Sequence, residues 1–493
     1  MKPIPFPFVG STYVSADPDQ DIQELINWYI EKSTNEQSKE SRALIGCPGL
    51  TSVLSVITGP VRGAWVLPGG GQAIFVAANS VYLLQVTVPA SATTKATFGA
   101  TLVGAINSTT GPVSIRDNAT GGIAVIVDGT PNGYVYNIAA KTVSTISTPG
   151  FYGADRVAFI DGWLIFNKPG TQIFYLSPLY WNGTDAFDAT LFALKDSSTD
   201  NLVSLIESLR ELWLIGERTT EIWYDAGNQY FAFSRLQGIT LQIGTSAAQS
   251  VCRFQSGLIW LSKSERGQNI VVATEGYAHQ VVSTAAMSKE LATYPVVSDA
   301  IGYTYSEEGH SFYVLTFPTA DVTWVFDAQS GEWHKRASYD PVTGKFHRHR
   351  SNCQINFQNQ TLVGDYFNGS VYRMDRSSFT DAGNPLVGLR RTLHIWDGIA
   401  RERVFHSQMQ IQFRAGVGLQ TGQGSAPSVM LRWSDDSGFT WSNEYQASPG
   451  AAGATKTRVI WRRLGASRDR VYEVRVSDPV NRDIVGATLW VDQ

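Results

Sequence analysis

From about residue 60 to about residue 385 the chain alternates short apolar runs with turns in a repeating unit. Each unit has an apolar strand, a short turn, and a second strand carrying an aliphatic–aromatic pair. The second strands contain Val81-Tyr82, Val135-Tyr136, Ile173-Phe174, Ile222-Trp223, Ile270-Val271, Trp324-Val325 and Val371-Tyr372, set 38 to 54 residues apart. Their first strands include Ala73–Val76, Ile123–Ile126, Trp163–Phe166, Leu212–Ile215, Leu258–Leu261, Phe312–Leu315 and Thr361–Val363. That spacing is the length of a four-stranded propeller blade, which must stack on neighbours to bury both faces. Asp128-Gly129, Asp161-Gly162, Asn182-Gly183, Ser256-Gly257, Ser330-Gly331 and Asn368-Gly369 supply the turns. The count favours seven units. Six stays open, because the first or last could belong to a flanking domain, and a β-sandwich array would alternate similarly.

Before the repeat, Ile22, Leu25, Ile26 and Tyr29 recur at helical spacing, yet Asn27-Trp28-Tyr29-Ile30 also reads as a strand. Cys47-Pro48-Gly49-Leu50 predicts a turn. After the repeat, Phe405, Met409, Ile411 and Phe413 keep even spacing, Val429–Trp441 reads as a hairpin, and Val485–Val491 reads as a terminal strand. Gly416–Ser428 is Gly/Ser/Gln-rich and predicts an exposed loop. The expected architecture is therefore mainly β: an N-terminal segment over 1–58 that makes assembly contacts, a β-propeller of six or seven blades over 59–385, and a β-sandwich-like domain over 386–493.

Composition agrees with a packed β-protein. Of 493 residues, 43% are hydrophobic, 12% aromatic and only 17% charged. The net charge of −4 argues against a dedicated nucleic-acid binder. The ends are polarised: residues 15–40 hold seven acids and two lysines, and residues 456–475 hold seven bases and two acids. Cys47, Cys252 and Cys353 are odd in number and far apart, which points to folding in a reducing compartment. The prolines of Met1–Phe8 do not fit a signal peptide, and no run of about 18 apolar residues predicts a membrane helix.

Ser434-Asp435-Asp436-Ser437-Gly438-Phe439-Thr440-Trp441 fits the Asp-box pattern Ser-x-Asp-x-Gly-x-Thr-Trp known from sialidase propellers. The box is a folding device. Ser434 and Asp436 satisfy backbone N–H groups of a tight hairpin, Gly438 takes an otherwise unfavourable backbone angle, and Trp441 packs beneath. A sialidase would also need an arginine cluster, a Tyr–Glu nucleophile pair and an acid, none of which can be assigned. His347-Arg348-His349 with Cys353 gives three ligands flanked by arginines, short of a structural zinc set. Gly69-Gly70-Gly71 lacks the Lys-Ser or Lys-Thr of a phosphate loop. No catalytic residue, metal or cofactor is nominated. The densest basic set is Lys456, Arg458, Arg462, Arg463, Arg468, Arg470 and Arg475. Strand alternation would let Arg458 and Arg462 share one face and Arg468 and Arg470 another. Such a stripe fits DNA, an acidic neighbour or solvent.

Both ends of the chain resemble one family, the tail accessory factors of short-tailed phages, also called packaged-DNA stabilisation or tail nozzle proteins. At the N-terminus the resemblance rests on Asn27–Glu31, Pro48-Gly49-Leu50 and Val61-Arg62-Gly63. At the C-terminus it rests on Asp435–Gly438, Arg458–Gly465 and Tyr472–Ser477. It implies a non-enzymatic virion tail part made in the host cytoplasm. It also implies a homo-hexameric ring below the portal–adaptor ring, sites for tailspikes or fibres and for a plug or needle, and a lumen passing genomic DNA without sequence recognition. No small-molecule substrate belongs to that pattern. The alternatives are a glycan-binding or glycan-hydrolysing, sialidase-like propeller, and a tail-fibre or baseplate protein of other symmetry.

Overall fold

The computed structural model describes residues 2–35, 37–56, 59–120, 122–264, 266–398 and 402–492. The expected boundary at residue 58 and the end residues 1 and 493 lie outside the described residues. Seven four-stranded antiparallel units follow one another around an axis. The first pairs Val61–Val66, Gln72–Ala77, Ser80–Val88 and Thr97–Ala105 in order. The axial strands of the next six begin at Ser114, Val157, Leu202, Cys252, Ile301 and Ser351. The protein contains a seven-bladed β-propeller.

The apolar runs of the sequence are the two middle strands of each blade. In Ile123–Val127 every residue is buried. Ala124 and Ile126 pack toward the first blade, while Ile123, Val125 and Val127 pack toward the third. Alternate side chains point to opposite faces, so a strand sandwiched between two blades is apolar throughout. One hydrophobic cluster fills each seam between neighbouring blades.

The last blade is completed by the other end of the chain. Gly49–Ser55 lies antiparallel to Ser370–Asp375, with Gly49 opposite Asp375 and Ser55 opposite Ser370. The turn expected at Cys47–Leu50 is instead the start of this strand. Gly49 is required there because a Cβ would fall 2.4 Å from the Ser378 carbonyl oxygen and 2.5 Å from that of Thr380.

The rest of the N-terminal region does not stand apart. Lys2–Phe6, Trp28–Lys32 and Arg42–Gly46 join a sheet with Val404–Phe413, Val459–Arg462 and Ile484–Asp492. Ile22–Ile26 bridges Glu332–Lys335, the outer strand of the sixth blade, to Gly388–Arg391 of the second sandwich sheet. That sheet continues through Asp469–Val476 and Val429–Ser434 to Tyr445–Ala447. The ambiguous element at 21–33 is thus two strands. Asn27 separates them in the left-handed conformation, with φ of 59°. Both strands bury two faces, which produced the mixed periodicity. Trp28 and Ile30 enter the sandwich core, and Tyr29 enters the seam between blades six and seven.

Other sequence expectations shift locally. A bulge between His406 and Gln408 changes the phase of Val404–Phe413. Met409 and Ile411 are therefore buried while Phe405 is exposed. The hairpin read over Val429–Trp441 returns later, at Tyr445–Ala447. The terminal strand Ile484–Asp492 lies inside its sheet, with Val404–Phe413 on one side and Lys2–Phe6 on the other. All three cysteines are free thiols. No helix among the described residues is long and apolar enough to cross a membrane.

Asn27 is the polar knot of this junction. Its Nδ2 donates to the carbonyl oxygens of Ala337 (2.9 Å) and Val387 (2.8 Å), and its Oδ1 accepts from Ala337 N at 3.0 Å. Its backbone N–H reaches Lys335 O at 2.9 Å, and its carbonyl accepts from Cys47 N at 3.0 Å. Asn27→Leu removes the side-chain bonds and orphans three buried backbone groups. The expected cost is about 3 kcal/mol or more, read as a lower urea midpoint.

Buried histidines set an acid limit. Burial, with Arg336 and Arg350 nearby, lowers His349 to about 3. Burial beside Arg470 lowers His406 to about 3. Burial with Arg336 and His310 pulls His334 well below its ordinary value. For these bases the unfolded chain takes up protons near pH 6.5 while the folded chain does not, so stability falls as pH drops from about 6.5 toward 3. His310, raised by its bond to Asp327, and His394, raised by its bond to Asp469, act oppositely: their stabilisation is complete below about pH 6.5 and is lost as pH rises through their raised values. The depressed group dominates. By pH 5, His349 and His406 each cost about 2 kcal/mol. The denaturation midpoint should fall between pH 7 and 5, and His406→Gln should flatten that slope.

Candidate functional site

The hairpin at Ser434–Trp441 is built from its own side chains. Ser434 Oγ accepts from Gly438 N at 2.8 Å and donates to Asp436 Oδ1 at 2.7 Å. Asp436 accepts from Thr440 N (2.8 Å) and Thr440 Oγ1 (2.6 Å). These Thr440 and Ser434 bonds hold the Asp436 carboxyl below its ordinary range. Gly438 has φ of 92°, and Trp441 Nε1 donates to its carbonyl at 3.1 Å. The Trp441 ring carries the guanidinium of Arg432 at 4.7 Å and that of Arg391 at 5.1 Å. This hairpin sits in the sandwich, outside the propeller.

The arginines of the C-terminal set divide sharply. Arg470 is 2% exposed and forms a bidentate pair with Asp435, at 2.6 Å from Nε and 2.7 Å from Nη2. It also donates to Leu464 O at 2.5 Å and lies over Trp433 at 5.0 Å. It is an internal strut and does not share a face with the exposed Arg468. Arg475 is half-buried against Glu473 and Glu444. Arg458, Arg462, Arg463 and Arg468 are exposed. Arg458 and Arg462 flank a strand segment whose Val459 and Trp461 are buried, so those two cations project from one sheet face. Arg462 Nε donates to Gln408 Oε1 at 3.3 Å on the neighbouring strand. Arg463, with φ of 60°, marks the bend that follows.

The strongest electrostatic centre here escaped the sequence reading. Glu473 is 1% exposed and meets Arg391 (2.9 Å), Arg432 (2.5 Å) and Arg475 (3.3 Å). Arg391 also reaches Glu24 at 3.2 Å. Strand register brings these groups together: Glu473 lies opposite Arg391 on one side and Arg432 on the other. An alternating Glu473-Val474-Arg475 strand was the available signal, but the partner strands are 41 and 82 residues away. The His347–Cys353 cluster dissolves. His347 bonds Asp321 at 2.6 Å, whereas the buried His349 bonds Ser351 at 2.6 Å. Among the described residues, no group of three or more His, Cys, Asp or Glu side chains could hold a metal ion.

A family model described as bacteriophage P22 Gp10, beta-propeller, matches residues 15–379. A second, described as bacteriophage P22 Gp10, beta-sandwich, matches residues 399–492. No curated protein matches the chain.

The division of the arginines is testable by stability. Glu473→Ala takes the buried carboxylate from three half-buried guanidinium groups, leaving Arg391 with Glu24 and Arg475 with Glu444, and should cost about 3 kcal/mol, as for a broken buried pair. Arg462→Ala removes an exposed side chain and should stay within about 0.5 kcal/mol of the parent. Urea denaturation of both variants checks the contrast.

Proposed function

This chain belongs to the bacteriophage P22 Gp10 family of structural phage tail proteins, and from that premise we propose that it is a subunit of the tail nozzle. In this reading six copies close a ring below the portal–adaptor complex. The ring lengthens the DNA channel, retains the packaged genome, and offers attachment sites to tailspikes or fibres and to a plug or needle. The DNA passes without being read in sequence. The subunit is made in the host cytoplasm and works in the virion tail. The role is geometric and no catalysis is assigned to it.

The observation that carries the proposal is the match of both folded units, in order, to the two parts of one tail protein. Physical features support it. One sheet runs from the sixth blade through Ile22–Ile26 into the sandwich, so the subunit can hold a fixed angle in a closed ring. Exposed Arg458, Arg462, Arg463 and Arg468 stand on the sandwich, while residues 15–40 are acid-rich. A basic edge on one copy and an acidic segment on the next would steer and register the contact. In this reading the N-terminal segment, a strap of strands from Lys2–Phe6 to Gly49–Ser55 that ties the propeller to the sandwich, supplies the assembly contacts. The glycan reading is not favoured, because the Asp-box hairpin is a structural turn of the sandwich and lies outside the propeller blades.

Electron microscopy of the purified chain mixed with its portal–adaptor partner should show six-fold rings; particles that never close into rings would sink the proposal. Changing Arg458, Arg462, Arg463 and Arg468 together to Glu should leave the monomer folded, at about 0.5 kcal/mol or less per site. It should abolish ring closure at physiological salt. Sedimentation of parent and variant reads both outcomes.

A further inference from the structure

The tunnel enclosed by the seven axial strands turns its arginines to protein acceptors. Arg62 donates to the carbonyl oxygens of Ala78, Ser108 and Thr110, and Arg156 donates to Gln249 and Val251. Another surface of the propeller is not satisfied internally. It lies at the end of blades three to five where the first strand turns into the second and the third into the fourth. Its turns are 161–162 and 177–191 in blade three, 209–210 and 226–232 in blade four, and 255–256 and 276–277 in blade five.

Leu179, Tyr180, Leu209, Tyr224, Tyr230 and Tyr277 stand exposed there, and Tyr230 is 88% exposed. The tips of the three blades touch one another. Leu179 and Tyr180 lie over Gly162, where a Cβ would come within 2.9 Å of each. Arg210 crosses to Asp161 at 2.8 Å. Glu211 lies opposite Tyr224 and is bonded by Tyr277. Leu209 is held out against its backbone preference. Ser208 pairs with Glu211, so Leu209-Arg210 is a two-residue turn with both residues left-handed, at φ of 52° and 65°. Asparagine and glycine suit such a turn, and leucine does not. The matching turns of four other blades are Asp161-Gly162, Gln255-Ser256, Glu308-Gly309 and Gln358-Asn359. At 79% exposure the Leu209 side chain gains little packing to offset the strain. Strain kept without a packing reason marks a functional surface.

Charge follows the same surface. Asp161, Asp185, Asp188, Glu211, Asp225 and Glu275 lie in or directly beside these turns, with Arg210 as the one base. The corresponding turns of blades one and two have Asp117 against Lys95 and Lys141. Tyr277 donates to one oxygen of Glu211, and Gly227 N donates to one oxygen of Asp225 at 2.9 Å; the second oxygens take no bond and are not buried.

We propose that this face of blades three to five docks an arginine-bearing segment of another protein. Tyrosine rings receive the flat guanidinium groups, and the surrounding carboxylates accept their forked N–H donors. Tyrosine-rich surfaces of this kind supply the anchors of protein interfaces. The chain's own exposed arginines stand on the sandwich and serve the ring in the reading above. The docking face needs the propeller alone, so its failure would leave that reading untouched.

The test is fluorescence anisotropy of the full chain with a labelled decapeptide of alternating arginine and glycine, and with lysine–glycine and glutamate–glycine versions. The arginine peptide should bind saturably and more weakly as salt rises. The lysine peptide should bind at least about threefold more weakly, because an ammonium cannot stack and fork as guanidinium does. Tyr180→Ser, Leu209→Asn and Tyr230→Ser change exposed side chains, so their combination should fold, and it should lose at least about tenfold in affinity. Leu209→Asn alone should raise Tm by about 1–2 °C, since it relieves a left-handed leucine. Parent and triple variant should sediment alike; a smaller species in the variant would give the face to a second copy and overturn the proposal. No saturable binding, equal binding of the arginine and lysine peptides, undiminished binding by the triple variant, or a lower Tm in Leu209→Asn would overturn it as well.

Discussion

The pairing of Gly49–Ser55 with Ser370–Asp375 is the contact on which the rest of this molecule depends. A propeller is a ring of seams, and each middle strand is apolar on both faces because a blade lies on either side. If the seventh blade lacked its outer strand, Leu50 and Met374 would lose their cover, and the seam with blade six would open along Tyr303, Phe312 and Tyr372. The same N-terminal strap that closes this blade has already contributed strands to both sandwich sheets. Ring closure and sandwich assembly are therefore coupled in one cooperative event. The strap must wait for partners more than 300 residues away, as the 310-residue separation between Asn27 and Ala337 illustrates. Such contact order makes folding slow, and it explains why the junction is fixed by specific polar bonds as well as apolar area.

Those bonds come largely from buried arginines. Arg390 and Arg482 are almost fully buried and direct their N–H groups at backbone carbonyls: Phe8 and Ser11 for Arg390, Leu386 and Cys47 for Arg482. Arg336 lies over the rings of Tyr305 and Phe312, at 5.1 and 5.5 Å. Arg390 and Arg482 each join the N-terminal segment to the C-terminal part of the chain, whereas Arg336 packs on the sixth blade. Burying a guanidinium is unfavourable unless its planar fork of donors is met. A shifted register would leave those donors unmet, so the arginines penalise misdocking of strap and sandwich more than they add net stability.

The parts legible in the sequence were those whose environment repeats locally. The two middle strands of every blade stood out because burial on both faces leaves no polar gap, as in Leu212–Ile215 and Leu258–Leu261. The axial and outer strands did not, since Arg116 and Arg253 face the tunnel and Ala278–Val281 faces solvent. The Asp-box hairpin was legible because the bonds among Ser434, Asp436, Gly438 and Thr440 that close its turn lie within eight residues of Ser434. Arg470 was not. Its burial depends on meeting Asp435 across 35 residues in a register that no local pattern encodes. The strap was ambiguous for a further reason: Asn27 reverses the phase between two strands, so Leu25, Trp28 and Ile30 serve one core while Tyr29 serves another.

A subunit of this construction has little freedom between its two units. Several connections cross the junction among the described residues, three of them through the backbone or a buried amide: the shared sheet through Ile22–Ile26, the Asn27 knot, and the chain passing directly from Arg42–Gly46 into Gly49–Ser55. A single hinge cannot relax all three, because they lie on different strands and use different donors. Domain motion is the usual expectation where an interface is small and polar. Here backbone ladders continue through the junction, so bending it would break sheet hydrogen bonds. For the ring we propose, the angle between propeller and sandwich is then set inside each copy. In that proposal contacts between copies need only select the angle, and the charges on the sandwich edge are the groups proposed to do so.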